Sequence, residues 1–272
     1  MSETDKSKIE KFFAVNDTNW GHKWGYKDSR FVLNEDRSVT MAGDRYDICG
    51  VEMPDFIPYV EEMLDITVDP NDTLQEVENK PVREANINIE FVEVVKSEFP
   101  EDRYSFGDDE RLLHSQGQTT DEVYKILYSR VNKMVDMVFF IESEEEVRRL
   151  IQLAMQYDVC LIPYGGGTSV SNALKVPENE QRMIVAVDTR RMAAIESIDE
   201  ENRRICVQAG ITGGRLEELL QEKGFTVGHE PDSIELSTLG GWISTNASGM
   251  KKNRYGNIED IIENVTIGRI II

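Results

Sequence analysis

An α+β fold is predicted for this 272-residue chain from three observations. From Val135 onward, short β-branched runs alternate with segments whose apolar residues recur at helical spacing. Between residues 195 and 208 a hairpin pattern breaks that alternation, which argues against a regularly doubly wound sheet. One apolar run, Leu161-Ile162-Pro163-Tyr164, leads directly into Gly165-Gly166-Gly167 and two hydroxyl residues, Thr168 and Ser169.

Residues up to about Tyr128 are polar, acidic and interrupted by Pro54, Pro58, Pro70, Pro81 and Pro100. Short helices are expected at 55–64 and 120–127, and the mostly charged stretch 67–109 reads as including flexible connections. This predicts a partly helical accessory region, residues 1–130, and a second domain, residues 131–272. Within the second domain, Asp136-Met137-Val138-Phe139-Phe140-Ile141 reads as a buried strand. Ser143 caps a helix, and Glu146 three residues on completes a capping box. Val147, Leu150, Ile151 and Ala154 then share one helical face. Strands follow at 160–163 and 183–187, and a hairpin turns at Asp199-Glu200-Glu201-Asn202. Residues 212–223 form an amphipathic helix closed by Gly224.

The chain carries 30 basic and 51 acidic residues, a formal charge of −21. Such a surface repels phosphate backbones and anionic lipid, which excludes nucleic acid as an electrostatic partner. No apolar run approaches the ~18 residues of a membrane span. The acidic start, Met1-Ser2-Glu3-Thr4-Asp5-Lys6, is not a secretory signal, and the end, Arg269-Ile270-Ile271-Ile272, is not a peroxisomal tripeptide. Cys49, Cys160 and Cys206 are odd in number and lack metal-type spacing. That fits a reducing compartment, with Cys160 and Cys206 buried in apolar strands. His22 and His114 have no Cys, His or Asp companions at ligand spacing, so no metal is expected.

Glycines without a Cβ let the chain turn through positive φ and let a ligand approach the main chain. Successive N–H groups in such a turn form an anion-seeking nest, and hydroxyls at Thr168 and Ser169 add donors. Pro163, Tyr164, Gly165, Gly166, Gly167, Thr168 and Ser169 therefore read as a pyrophosphate cradle, with a ligand-free glycine turn as the alternative. A P-loop is excluded because no Lys precedes the Ser/Thr. The nicotinamide fingerprint is excluded because these glycines are contiguous, and residues 171–177 are too short and Pro-broken for its helix.

A second small-residue cluster follows: Pro231-Asp232-Ser233-Ile234-Glu235-Leu236-Ser237-Thr238-Leu239-Gly240-Gly241-Trp242 and then Thr245-Asn246-Ala247-Ser248-Gly249. Together with the first, it resembles the flavin-binding domain of the vanillyl-alcohol-oxidase/PCMH superfamily, in which two glycine-rich segments hold FAD between them. Further segments look like the alkylglycerone-phosphate synthase family. These are Gly228-His229-Glu230-Pro231-Asp232-Ser233, Ser248-Gly249-Met250-Lys251-Lys252-Asn253-Arg254-Tyr255-Gly256-Asn257, Trp24-Gly25-Tyr26-Lys27-Asp28-Ser29-Arg30-Phe31 and His114-Ser115-Gln116-Gly117-Gln118-Thr119. The resemblance covers nearly the whole chain except residues 65–100.

The resemblance implies a PCMH-type FAD-binding domain of two small α/β subdomains and a peroxisomal enzyme of ether-lipid synthesis. Its substrates would be acylglycerone phosphate and a long-chain fatty alcohol, with flavin N5 acting as nucleophile. Pro163 through Ser169 would grip the pyrophosphate, while Asp232, Ser233, Ile234, Glu235, Leu236, Ser237, Thr238, Thr245, Asn246, Ala247 and Ser248 would line the flavin's other contacts. Thr238 is either the hydroxyl beside the isoalloxazine or a helix cap before Leu239. Lys251, Lys252 and Arg254 either draw a phosphate or form a solvated loop, and His229 either approaches the flavin or is structural. No histidine borders the glycine loop, so FAD is expected to be non-covalent.

The family's tyrosine and histidines for proton transfer, and its substrate-binding cap, lie beyond Ile272, so an amino-terminal fragment, inactive alone, is expected. Residues 264–272 are expected to form an apolar terminal strand. A homodimer and a peripheral membrane contact through the missing regions stay open. Two other readings remain: an FAD-dependent 2-hydroxy-acid dehydrogenase or oxidase, and a non-catalytic remnant of the FAD domain.

Overall fold

The computed structural model describes residues 26, 28–72, 83–128 and 131–268. His22, Trp24, Gly25 and Lys27 of the sequence expectations, and the last four residues, lie outside them. Two compact units divide the chain, one of residues 1–81 with 123–130 and one of residues 82–122 with 131–272.

In the first unit, β1 (Arg30–Leu33), β2 (Val39–Ala42) and β3 (Glu52–Met53) form an antiparallel sheet in that order. Helix α1 (Phe56–Leu64) follows, ending at Asp65 in the left-handed conformation.

The second unit starts earlier than expected. Helix α2 (Ile89–Glu98) occupies the stretch read as connections, with Asn88 Oδ1 accepting from the Phe91 N–H at 3.0 Å. Phe91 and Val95, one turn apart, are fully buried, and their burial ties this segment to the sheet. After it come β4 (Tyr104–Ser105) and α3 (Asp108–Leu113), and then α4 (Thr120–Tyr128), whose residues from Val123 on belong to the first unit. The boundary expected at residue 130 therefore moves to 82, because α2 and β4 belong to the sheet's own core and edge.

That sheet runs β4-β5-β7-β6, with β5 (Met137–Phe140), β7 (Ile184–Asp188) and β6 (Cys160–Tyr164) parallel and β4 antiparallel at one edge. One face packs on α2 and on α5 (Glu144–Gln156) through Phe139, Leu150, Leu153 and Val185. The other buries Val135, Val138, Val176, Ile184 and Ala186. Burial on both sides explains why β7 is apolar at every position but its last, Asp188. Ser143 Oγ accepts from the Glu146 N–H at 3.2 Å as expected, but the Glu146 carboxylate accepts from Glu142 N–H rather than from Ser143, displacing the reciprocal half by one residue.

The hairpin of β8 (Ile195–Asp199) and β9 (Arg204–Val207) is closed by Asp199, whose carboxylate takes both the N–H and the side-chain amide of Asn202. Only two strands wide, it leaves Cys206 exposed, and Cys160 is half-buried, so neither thiol has the buried place expected of it. Helix α6 (Gly213–Gln221), capped by Thr212, packs through Leu216 and Leu220 on Leu239 and Trp242 of α7 (Leu239–Thr245). Two single turns, α8 (Lys252–Tyr255) and α9 (Ile258–Ile261), follow. Among the described residues no strand forms after α9, and Val265 and Ile267 are exposed, so residues 264–268 do not form the start of the expected terminal strand, whose last four residues lie outside the described ones.

Candidate functional site

Tyr164 and Asp188 end neighbouring parallel strands in register, so the glycine loop leaves the sheet at its carboxyl edge. Ligands of open α/β sheets characteristically lie at that edge. Gly167 turns with φ +70°, a left-handed value open to glycine. Among the described residues, the backbone N–H groups of residues 165–169 have no acceptor. The Thr168 hydroxyl is likewise unengaged, whereas Ser169 Oγ lies 3.2 Å from Ser171 Oγ and accepts from the Ser171 N–H. Five consecutive donors therefore stand without a backbone or side-chain acceptor among the described residues, the kind of donor set that an anion can engage.

The second segment is brought against the first. A Cβ on Gly166 would overlap the carbonyl oxygen of Leu236, and one on Gly165 would overlap the Thr238 hydroxyl. Residues 233–238 are themselves a tight turn: Ser233 sits at φ 58°, and its carbonyl accepts from Leu236 and Ser237 N–H. From the far side, Gly213 N–H donates to Ser237 O and Gly214 N–H to Ile234 O, while the Trp242 indole donates to Ser237 Oγ at 2.7 Å. Thr238 is buried and caps α7, its hydroxyl accepting from Gly241 N–H at 3.2 Å. Its capping role is thus what the geometry displays.

The third stretch stands apart. Thr245, Asn246 and Ser248 are exposed at the other end of α7, a helix of about 10 Å. No hydrogen bond among the described residues joins them to the glycine loop. Ala247 is half-buried in the α6–α7 core. A cleft of 420 Å³ is bordered by Asp232, Ser248, Gly249, Met250, Lys252 and Asn253, so this end of the two later stretches does converge, with one lysine. Lys251 is ion-paired with Glu230, which raises its pKa, and Arg254 stacks on Tyr255 at 5.1 Å. Of the basic trio, Lys252 is the one that lines the cleft.

Sequence reasoning missed Asp188 and Arg190. Asp188 is 1% exposed, 2.9 Å from His114 Nε2 and 2.5 Å from Arg190 Nη2. Burial opposes its charge, but Arg190 and His114 prevail and hold the carboxyl below its ordinary range. Burial pushes the Tyr164 phenol the other way, upward. A carboxylate closing an apolar strand was the available signal, although its partner lies 74 residues upstream.

His229 is 2% exposed and neither ring nitrogen has a hydrogen-bond partner among the described residues; its ring meets Trp242 edge-on at 5.0 Å. Burial lowers its pKa from the ordinary 6.5, with Glu259 opposing weakly. The unfolded chain therefore takes up this proton first, so the stability the neutral ring confers is full above pH 6.5 and falls as pH drops below it. His229→Phe keeps the ring contact and removes both orphaned atoms; a gain of about 1–2 kcal/mol is expected at neutral pH. Urea melts at pH ~7.5 and ~5 should show a smaller acid loss in the variant than in the parent.

Residues 135–268 match the model of an FAD binding domain. An alkyldihydroxyacetonephosphate synthase of Caenorhabditis elegans is 44% identical over 88% of this chain and 40% of its own length. One from Dictyostelium discoideum is 32% identical over 95% of the chain and 43% of its own. A solved alkyldihydroxyacetonephosphate synthase structure superposes with TM-score 0.79 at 31% identity, covering 88% of this chain and 45% of that one. The chain spans less than half the length of each of these relatives.

Proposed function

We propose that this chain carries the cofactor-binding part of a synthase like the alkyldihydroxyacetonephosphate synthases, to which it is similar over most of its own length, with residues 135–268, which match the model of an FAD binding domain, holding the cofactor. The reaction exchanges the acyl chain of acylglycerone phosphate for a long-chain fatty alcohol, without net redox change. Bound FAD supplies the nucleophilic centre that side chains would otherwise provide.

The observation that carries this reading is the packing of Gly165 and Gly166 on residues 236–238, with the N–H groups of 165–169 left unengaged among the described residues. A diphosphate fits such donors, and a Cβ would fill the space the two segments share. In this reading the loop binds the diphosphate, the Thr168 hydroxyl adds a donor, and the cleft between Asp232 and Ser248 takes another part of the same ligand beside Lys252. With no histidine in residues 163–170, the cofactor is held without a covalent bond. A peroxisomal location is proposed on the resemblance alone, and imaging of a tagged protein beside a peroxisomal marker tests it.

The activity test incubates the full-length protein with acylglycerone phosphate and hexadecanol. Ether product and free fatty acid, dependent on FAD and without oxygen uptake, are expected. Dye reduction by lactate or glycolate, with no ether formed, would replace this reading by a 2-hydroxy-acid dehydrogenase.

A further inference from the structure

The segment His114-Ser115-Gln116-Gly117-Gln118 touches the glycine loop at both of its ends, and the proposed function leaves it without a role. At the entry, the Tyr164 ring occupies the space a Cβ on Gly167 would need, so the loop folds back over the aromatic that precedes it. Tyr164 is held in turn by His114, whose ring lies 4.3 Å away, and by a 3.4 Å hydrogen bond from its hydroxyl to Leu113 O.

His114 is fully buried and fixed at both nitrogens. Nδ1 is 2.7 Å from Glu110 O and Nε2 is 2.9 Å from the Asp188 carboxylate. The two contacts, one at each nitrogen, fix the orientation of the ring.

At the exit, the Gln118 N–H donates to Ser169 O at 2.7 Å, and Gly117 approaches that carbonyl so closely that a Cβ would overlap it. The turn that presents Gln118 is pinned by the buried Glu122 carboxylate, which accepts from Gly117 N–H and from Thr119 N–H, each at 3.0 Å. Residues 165–168 are therefore strung between two fixed posts. Glycine loses the most freedom on ordering, and a loop ordered before its ligand arrives binds more tightly than one ordered by it.

We propose that residues 114–118 are a clamp that preorganises the glycine loop for the FAD diphosphate, with His114 and Gln118 as positioning residues. This rests on the FAD reading of the loop.

The test compares Gln118→Pro, which deletes the donor N–H, with Gln118→Ala, which keeps it, and adds His114→Asn. FAD affinity is read by flavin fluorescence and ADP affinity by calorimetry on the full-length protein, with melting of the FAD-free protein as a control for folding. Gln118→Pro and His114→Asn are each expected to weaken FAD and ADP alike, by about 10-fold or more, while Gln118→Ala matches the parent. Should Gln118→Pro not fold, His114→Asn carries the same expectation. Parent-like affinity in the folded variants overturns the clamp alone. Failure of the parent itself to bind FAD overturns the functional reading and the clamp with it.

Discussion

Gly166→Ala is expected to weaken FAD binding by roughly 5- to 150-fold, the span that an overpacking cost of about 1–3 kcal/mol produces. The atoms in the way are the Leu236 carbonyl and the Ser237 Cα, which are main chain and cannot swing aside as a side-chain tip would. Either the glycine loop or the 233–238 turn must move, and that turn is braced from behind by Gly213 and Gly214 N–H. The loop is then the part that yields, and its unengaged N–H groups are displaced with it. Gly107→Ala is the matched control, since its Cβ would meet nothing nearer than Ser105 Oγ at 3.3 Å. Fluorescence titration of both variants checks the contrast, and equal affinities would refute it.

The largest loss of stability is expected from Asp188→Ala, about 3–5 kcal/mol, the range for removing one partner from a buried ion pair. Arg190 loses its counter-charge and the buried His114 Nε2 loses its hydrogen-bond partner, with no access to water in exchange. The effect has a sign in pH. Because the folded carboxyl is held below the ordinary 3.8, its contribution is complete above that value and disappears as pH falls through the lower folded one. The parent's margin over the variant should therefore be widest near neutrality and narrow in strong acid. Urea midpoints across that range measure it; a margin unchanged by acid would mean that the charge is not the source.

How much of this was readable in the chain depends on how local each signal is. The strand around Val138, the helix begun by Ser143 and the hairpin at Asp199 rest on periodicity and caps within a dozen residues, and they appear where those patterns lie. Helix α2 was hidden because Glu90, Glu93, Lys96 and Glu98 make its composition look like a connection. Asn88 as cap, with Phe91 and Val95 one turn apart, was the signal that composition masked. The exposure of Cys206 follows from sheet width, which β9 alone does not encode.

At the site the same division holds. Glycines 165–167 and the 232–238 stretch were legible as side-chain-poor segments, and the fold packs them together. The separation of Thr245 and Ser248 from the loop was not, because it depends on α7 standing between them and Thr238. Nor could spacing reveal that His114 meets Asp188, since that encounter is made by the sheet edge.

Amide hydrogen exchange at residues 165–169, with and without saturating FAD, tests the central claim most directly. Fast exchange is expected in the free protein, with strong slowing once FAD is bound, as the diphosphate oxygens take up those donors. Exchange at these amides that stays fast in the FAD-saturated protein would contradict it.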